Sequence, residues 1–282
     1  MSFQKVSRGL WIDDPPRTVL NAGYFRALKD CHIGTIAIMI DRCDKQWKTT
    51  WTEKQIEEVL RLADDDAVEV VITTWPYPIK QQLDEMYKGV ERLMHVGPIS
   101  AWEVDLEFNW KSTHVDGFYR SKKRGSLDIA GDYLVDRALD VCRAHDSRFE
   151  VTSFTQHTEN GPKADVAPHC DRLLVQAYSV RKRPGMKQKV PFGHTYGPGT
   201  MQKFTLDRTL TIPGIEDGKP EIGCGLAAWS QRWPGVKPDR CMELAVKTAL
   251  AYSVVDLRWW SSKHVIGIKK NPYAAKFLET LQ

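Results

Sequence analysis

The sequence predicts an α/β protein of the (β/α)8 TIM-barrel class, folded as a single domain over residues 1–282. Three observations carry this. Short apolar runs of strand character alternate eight times with stretches of helical spacing, the order expected of a parallel sheet covered by helices. A length of 282 residues suits one such barrel, whose usual size is about 250. The first apolar run leads into GLWIDDPP rather than the Gly-rich phosphate loop usual in a doubly wound sheet.

The elements follow in order. Gly9–Asp13 (GLWID) is the first strand, ending in an acid before Pro15-Pro16, and Asn21–Asp30 is the first helix. Ile33–Asp41 is near-continuously apolar, as a parallel strand buried on both faces should be. Thr52 and Gln55 form a capping box ahead of the helical stripe Ile56, Val59, Leu60 and Ala63. Val68–Thr74 is the third strand, and Leu83, Met86, Tyr87, Val90 and Leu93 mark the helix after it. Ser100–Trp110 (SAWEVDLEFNW) is the fourth strand, with helix over Tyr133–His145 and the fifth strand at Phe149–Phe154. A weak helix at Lys163–Pro168 precedes the sixth strand, Arg172–Ser179 (RLLVQAYS). Met201–Leu210 is a poorly marked helix, and Ile222–Trp229 is strand seven. Pro238 opens a helix to Tyr252, proline being favoured in a first turn. Val254–Trp259 is strand eight, and Asn271-Pro272 caps a last helix through Leu281.

Composition sets limits. Hydrophobic residues at 42% and charged residues at 27% are ordinary for a globular chain, and a net charge of +4 does not by itself imply nucleic acid. No run of 18 apolar residues occurs, and MSFQKVSRGL lacks a signal-peptide core, so neither stable membrane association nor export by a signal is expected. The six cysteines are scattered without metal spacing and read as reduced, mostly buried thiols of a protein made in the cytoplasm. No Walker sequence, GxSxG elbow or HExxH pair is present, and no cofactor is expected.

The fourth strand organises the rest. Trp102, Val104, Leu106 and Phe108 share one face; Glu103, Asp105 and Glu107 share the other, by the period of two that belongs to a strand. If helices cover the apolar face, the acids look into the barrel; a solvated acidic edge strand is the alternative. A barrel's active site lies at the C-terminal ends of its strands. Those ends collect Asp13, Asp41, Asp105 and Glu107, Gln176 and Tyr178, Trp229, and Asp256, Arg258 and Trp260.

Acids beside aromatic platforms suggest sugar chemistry. Glycosidic cleavage needs a protonated acid at the leaving oxygen and a group supporting positive charge at the anomeric carbon. Crowding among carboxylates raises a glutamate's pKa and keeps it protonated. Glu107, nearest the mouth, is the candidate acid; Asp105, one step deeper, orients or stabilises a neighbour; Glu103 tunes the other two. Trp75, Trp229 and Trp260 (or Trp259) are candidate faces for pyranose rings, core packing being the alternative for each. Asp13, Asp41, Gln176 and Arg258 complete the candidate substrate-binding set.

EVDLE at Glu103–Glu107 resembles the end of the DxxDxDxE signature of glycoside hydrolase family 18, the chitinase family. The resemblance implies Glu107 as general acid and Asp105 as partner of the substrate's 2-acetamido group. Ser100 stands where the family has its first Asp, and Glu103 where it has its middle one. QAYS at Gln176–Ser179 is similar to the family's MxYD, keeping Tyr178 and losing the Asp. Family 25 lysozymes are the other near match, with a DxE on a strand and an acid ending strand one, as at Asp13. The family 18 likeness implies a substrate-assisted reaction on a polymer of N-acetylhexosamine, chitin or peptidoglycan, with Asp105 and Tyr178 positioning the acetamido group.

Charge separates the polymers. Arg120–Arg124 (RSKKR) and Arg181–Lys189 (RKRPGMKQK) follow strands four and six, on the active face. A basic rim attracts anionic peptidoglycan rather than neutral chitin; two solvated loops are the plainer reading. With no export signal and free cysteines, the expectation is an endolysin-like enzyme of a bacteriophage, made in the host cytoplasm and acting on the cell wall after release. The rival is a metal-dependent hydrolase, lyase or isomerase holding a divalent cation on Asp13, Asp41, Asp105 and Glu107. A dead barrel that only binds glycans is a third reading. Nucleic acid is not expected, since RKRPGMKQK has no interleaved aromatics.

Overall fold

The computed structural model describes residues 6–12, 21–41, 49–106, 110, 126–153, 166–178, 197–215, 219–228, 233, 235–260, 262–266, 274 and 276–278. Eight parallel strands close into one barrel in chain order: β1 Ser7–Ile12, β2 Thr35–Met39, β3 Glu69–Thr74, β4 Ala101–Asp105, β5 Arg148–Ser153, β6 Arg172–Gln176, β7 Glu221–Ala227 and β8 Asp256–Trp260. β8 returns to β1 with Gly9 opposite Arg258 and Trp11 opposite Trp260. Closure leaves no edge strand, which rules out both the doubly wound sheet and the solvated acidic edge.

The helices are α1 Ala22–Asp30, α2 Glu53–Asp65, α3 Lys80–Met94, α4 Ser126–Ala144, α5 Thr200–Thr209, α6 Pro238–Leu250 and the short α7 Ser262–Val265. The Thr52–Gln55 capping box is present at the start of α2, with both reciprocal bonds made. α4 begins seven residues before the expected Tyr133, and the weak helix before β6 is a single 3-10 turn, Ala167–His169. Gly131 lowers the helical signal of the first turns of α4, and packing against β4 and β5 overrides it.

Two cores result. The larger lies between barrel and helices and takes the apolar face of each strand; on β4 it holds Trp102 and Val104. Trp102 packs edge-on to Tyr87 of α3, with ring centroids 5.7 Å apart, and its indole N–H donates to Thr74 at 3.0 Å. The smaller core lies inside the barrel: Trp11, Ala37, Val71, Ala101, Leu174, Tyr178 and Ala227, with Trp260 against it. Small residues on β1 and β7 make room for large ones there. A Cβ at Gly225 would stand 2.9 Å from the Trp11 ring, and one at Gly9 3.2 Å from the Arg258 side chain.

The five described cysteines, Cys31, Cys142, Cys170, Cys224 and Cys241, are free and buried, as expected. Burial pushes the Cys142 and Cys224 thiols up to about 12, so neither forms a thiolate near neutrality. Among the described residues, no helix is long and apolar enough to cross a membrane.

Candidate active site

The alternation of β4 turns Glu103 and Asp105 inward, at two heights in the barrel. They have different surroundings.

Glu103 is fully buried and its carboxylate is enclosed by donors. Oε1 accepts from the Trp11 indole N–H at 2.7 Å and from the Thr73 hydroxyl at 3.1 Å; Oε2 accepts from Arg258 Nη1. Arg258 Nη2 also donates to Glu150 at 3.0 Å and Asp256 at 2.7 Å. Arg172 joins the cluster below, reaching Asp256 at 3.1 Å and Glu221 at 2.8 Å. Arg148 meets Glu150 at 3.2 Å. Acids and guanidinium groups thus alternate through the lower half of the barrel and fill it.

Burial raises the Glu103 carboxyl from the ordinary 4.5 to about 7. The charge of Arg258 pulls it down, Glu150 pushes it further up, and the Trp11 and Thr73 bonds lower it again. Desolvation prevails because Arg258 divides its donors among three carboxylates. For Arg258 burial works against the charge, but Asp256, Glu150 and Glu103 together hold it protonated. Within the described site the raised carboxyl is therefore Glu103, and its main cause is burial rather than the crowding expected of Glu107.

Above this layer lies Asp105, 6% exposed, opposite Thr152 of β5. Gln176 of β6 donates Nε2–H to its Oδ1 at 3.1 Å. Tyr178, two residues past Gln176, lies against the inner core. Trp260 ends β8 half-buried, its ring 6.2 Å from Trp11 and tilted by 53°. Asp41, just past β2, takes the Trp75 backbone N–H on both oxygens at 3.1 and 3.0 Å. Trp110 Nε1 donates to Pro76 at 2.9 Å, so the half-buried Trp75 stands on a segment held from two sides.

Asp105, Gln176, Tyr178 and Trp260 thus gather at the C-terminal end of the barrel, with Asp41 and Trp75 at the ends of neighbouring strands. Two expectations change. Arg258 has no exposed surface and is engaged by three carboxylates, so it lies in the interior cluster rather than along a substrate's path. Asp256 opens β8 instead of ending it and sits at the opposite end of the barrel. Glu107, Asp13 and Trp229 lie outside the described residues, as do the basic stretches 120–124 and 181–189. Among the described residues no group of three or more His, Cys, Asp or Glu could hold a metal ion.

The sequence reading passed over Trp11, Glu150 and Arg172. All three could be found by the alternation that found Glu103: Trp11 shares parity with Gly9, Glu150 with Arg148 and Thr152, and Arg172 with Gln176 and Tyr178.

No family model matches the sequence, and no curated protein matches it. Solved structures match in fold. A GH18 chitinase from Pseudoalteromonas aurantia superposes with a TM-score of 0.59 at 10% identity, over 98% of this chain and 100% of that one. The catalytic domain of a hyperthermophilic chitinase from Pyrococcus furiosus gives 0.61 at 13% identity, over 97% and 93%. An endoglucanase, Cel5A, from Pseudomonas stutzeri gives 0.60 at 11%, over 98% and 94%. At such identities the likeness is one of fold.

Proposed function

We propose that the protein is a glycoside hydrolase that cleaves a β-linked N-acetylhexosamine polymer, with peptidoglycan as the first substrate. The observation that carries the reading is Asp105, buried at the barrel's C-terminal end and held by Gln176, two residues before Glu107 in the sequence. The chitinases among the fold neighbours support the sugar class.

In this reading Glu107 protonates the glycosidic oxygen as the C1–O bond breaks, and the acetamido oxygen of the same sugar closes on C1. Asp105 accepts the acetamido N–H and balances the positive charge on the resulting ring; Tyr178 donates to the acetamido oxygen. Glu107, now a carboxylate, takes a proton from the water that opens the ring. Trp75 and Trp260 offer faces for neighbouring sugars, and Trp229 and Asp13 complete the binding set. The basic stretches and the net charge of +4 support an anionic polymer, and hence an endolysin-like role in phage lysis.

The test is mass analysis of fragments released from purified peptidoglycan, with chitin beside it. Reducing-end N-acetylhexosamine is expected, and none with Glu107→Gln. Release by that variant at the native rate removes Glu107 from the reaction.

A further inference from the structure

We infer that Gln176 is a positioning residue whose carboxamide holds the Asp105 side chain in either protonation state by turning over. Gln176 is 4% exposed, and its Nε2 donates to Asp105 Oδ1 at 3.1 Å. Its Oε1 is buried and has no hydrogen-bond partner among the described residues. A buried acceptor left in that state is unfavourable by about 1–3 kcal/mol and is uncommon in a settled core.

Asp105 is the one group bonded to the polar end of this amide among the described residues, so Asp105 decides which way the amide faces. A carboxylate only accepts, and takes Nε2–H; a carboxylic acid also donates, and its proton needs Oε1. Rotation about the last side-chain torsion exchanges two atoms of similar size and leaves the number of hydrogen bonds unchanged.

The surroundings leave the amide to Asp105. β5 places the neutral Thr152 opposite it, and β3 contributes Thr73, whose hydroxyl is bound to Glu103. Glu103, beneath on β4, is tied to Arg258 of β8 and Trp11 of β1, and Arg258 in turn to Glu150 of β5 and Asp256. On β6 itself, Tyr178 is the neighbouring titratable group.

The use of such an amide rests on the proposed mechanism. A carboxylate that receives an acetamido N–H while charge develops beside it must keep its place as its proton affinity changes, and a donor-or-acceptor clamp does that without a charge of its own.

Two arms test it separately. Glutamine side-chain 15N labelling follows the Gln176 amide by NMR as pH falls, with the signal assigned by its loss in Gln176→Met. One titration of that amide is expected, absent in Asp105→Asn. An amide unmoved by pH in the wild type, or moving equally in Asp105→Asn, overturns the inference. In the second arm, Gln176→Met lowers kcat on the cleaved polymer about tenfold with KM within about twofold. Gln176→Glu, able to share one proton with Asp105, recovers activity only on the acid side of the wild-type profile. Equal losses in both variants at every pH overturn the inference. A wild type that cuts neither polymer speaks against the proposed function, while the amide titration still decides the role of Gln176.

Discussion

The indole N–H of Trp11 on β1 donates to the carboxylate of Glu103 on β4 at 2.7 Å, across the inside of the barrel. It is a neutral donor to a buried charge, and its ring also lies 5.6 Å from the Arg258 guanidinium and 6.2 Å from Trp260. Through Trp11 the charged lower half of the barrel is joined to the aromatic residue at its mouth. Trp11→Phe keeps most of the ring and removes the donor. Urea unfolding should show a loss of about 1–3 kcal/mol, more than a surface Trp→Phe change gives.

Glu103 gives the protein a pH dependence of unusual sign. Its folded pKa, about 7, stands above the ordinary 4.5, so between those values the folded state binds the extra proton. Stability from this group is fully present below about 4.5 and falls as pH rises through about 7, by on the order of 3 kcal/mol in all. Glu103→Gln should flatten that part of the stability curve by about one proton's slope. Identical curves for wild type and variant would show that Glu103 ionises alike folded and unfolded.

Arg258 is enclosed by Glu103, Glu150 and Asp256. Arg258→Met leaves three buried carboxylates short of a cation and should destabilise by about 3–5 kcal/mol. Arg258→Lys should recover only part of this, since an ammonium cannot reproduce the fork that meets all three acids. Thermal unfolding at neutral pH measures both.

Asp105→Asn should lower kcat on an N-acetylated polymer by about 10²–10⁴-fold while leaving the fold intact, because an amide cannot balance charge on the acetamido group. Circular dichroism together with initial rates separates this from unfolding.

Hydrolysis should persist in EDTA at the native rate. A loss restored by added Mg²⁺ or Mn²⁺ would point back to a cation on the acids at the strand ends.

The barrel was legible because its strands write their two faces differently. The period of two in EVDLE put Glu103 and Asp105 inside, and closure of the sheet left them nowhere else to point. Depth was not legible. Glu103 and Arg258 are 155 residues apart, and only the pairing of β8 with β1 places Arg258 beneath the mouth instead of in it. Asp256 was misplaced for the same reason: an acid beside a strand reads alike whether it opens or ends it. Glu150 escaped because a single charge in RFEVTS resembles ordinary solvent-facing alternation, whereas two acids in EVD do not.

The bare backbone of Gly225 faces the Trp11 ring at a distance that a methyl group could not share. Positions 11 and 225 therefore behave as one steric unit. In homologues that share this interior, a residue larger than glycine at 225 should travel with a smaller ring or an aliphatic side chain at 11, a co-variation that links the first strand to the seventh.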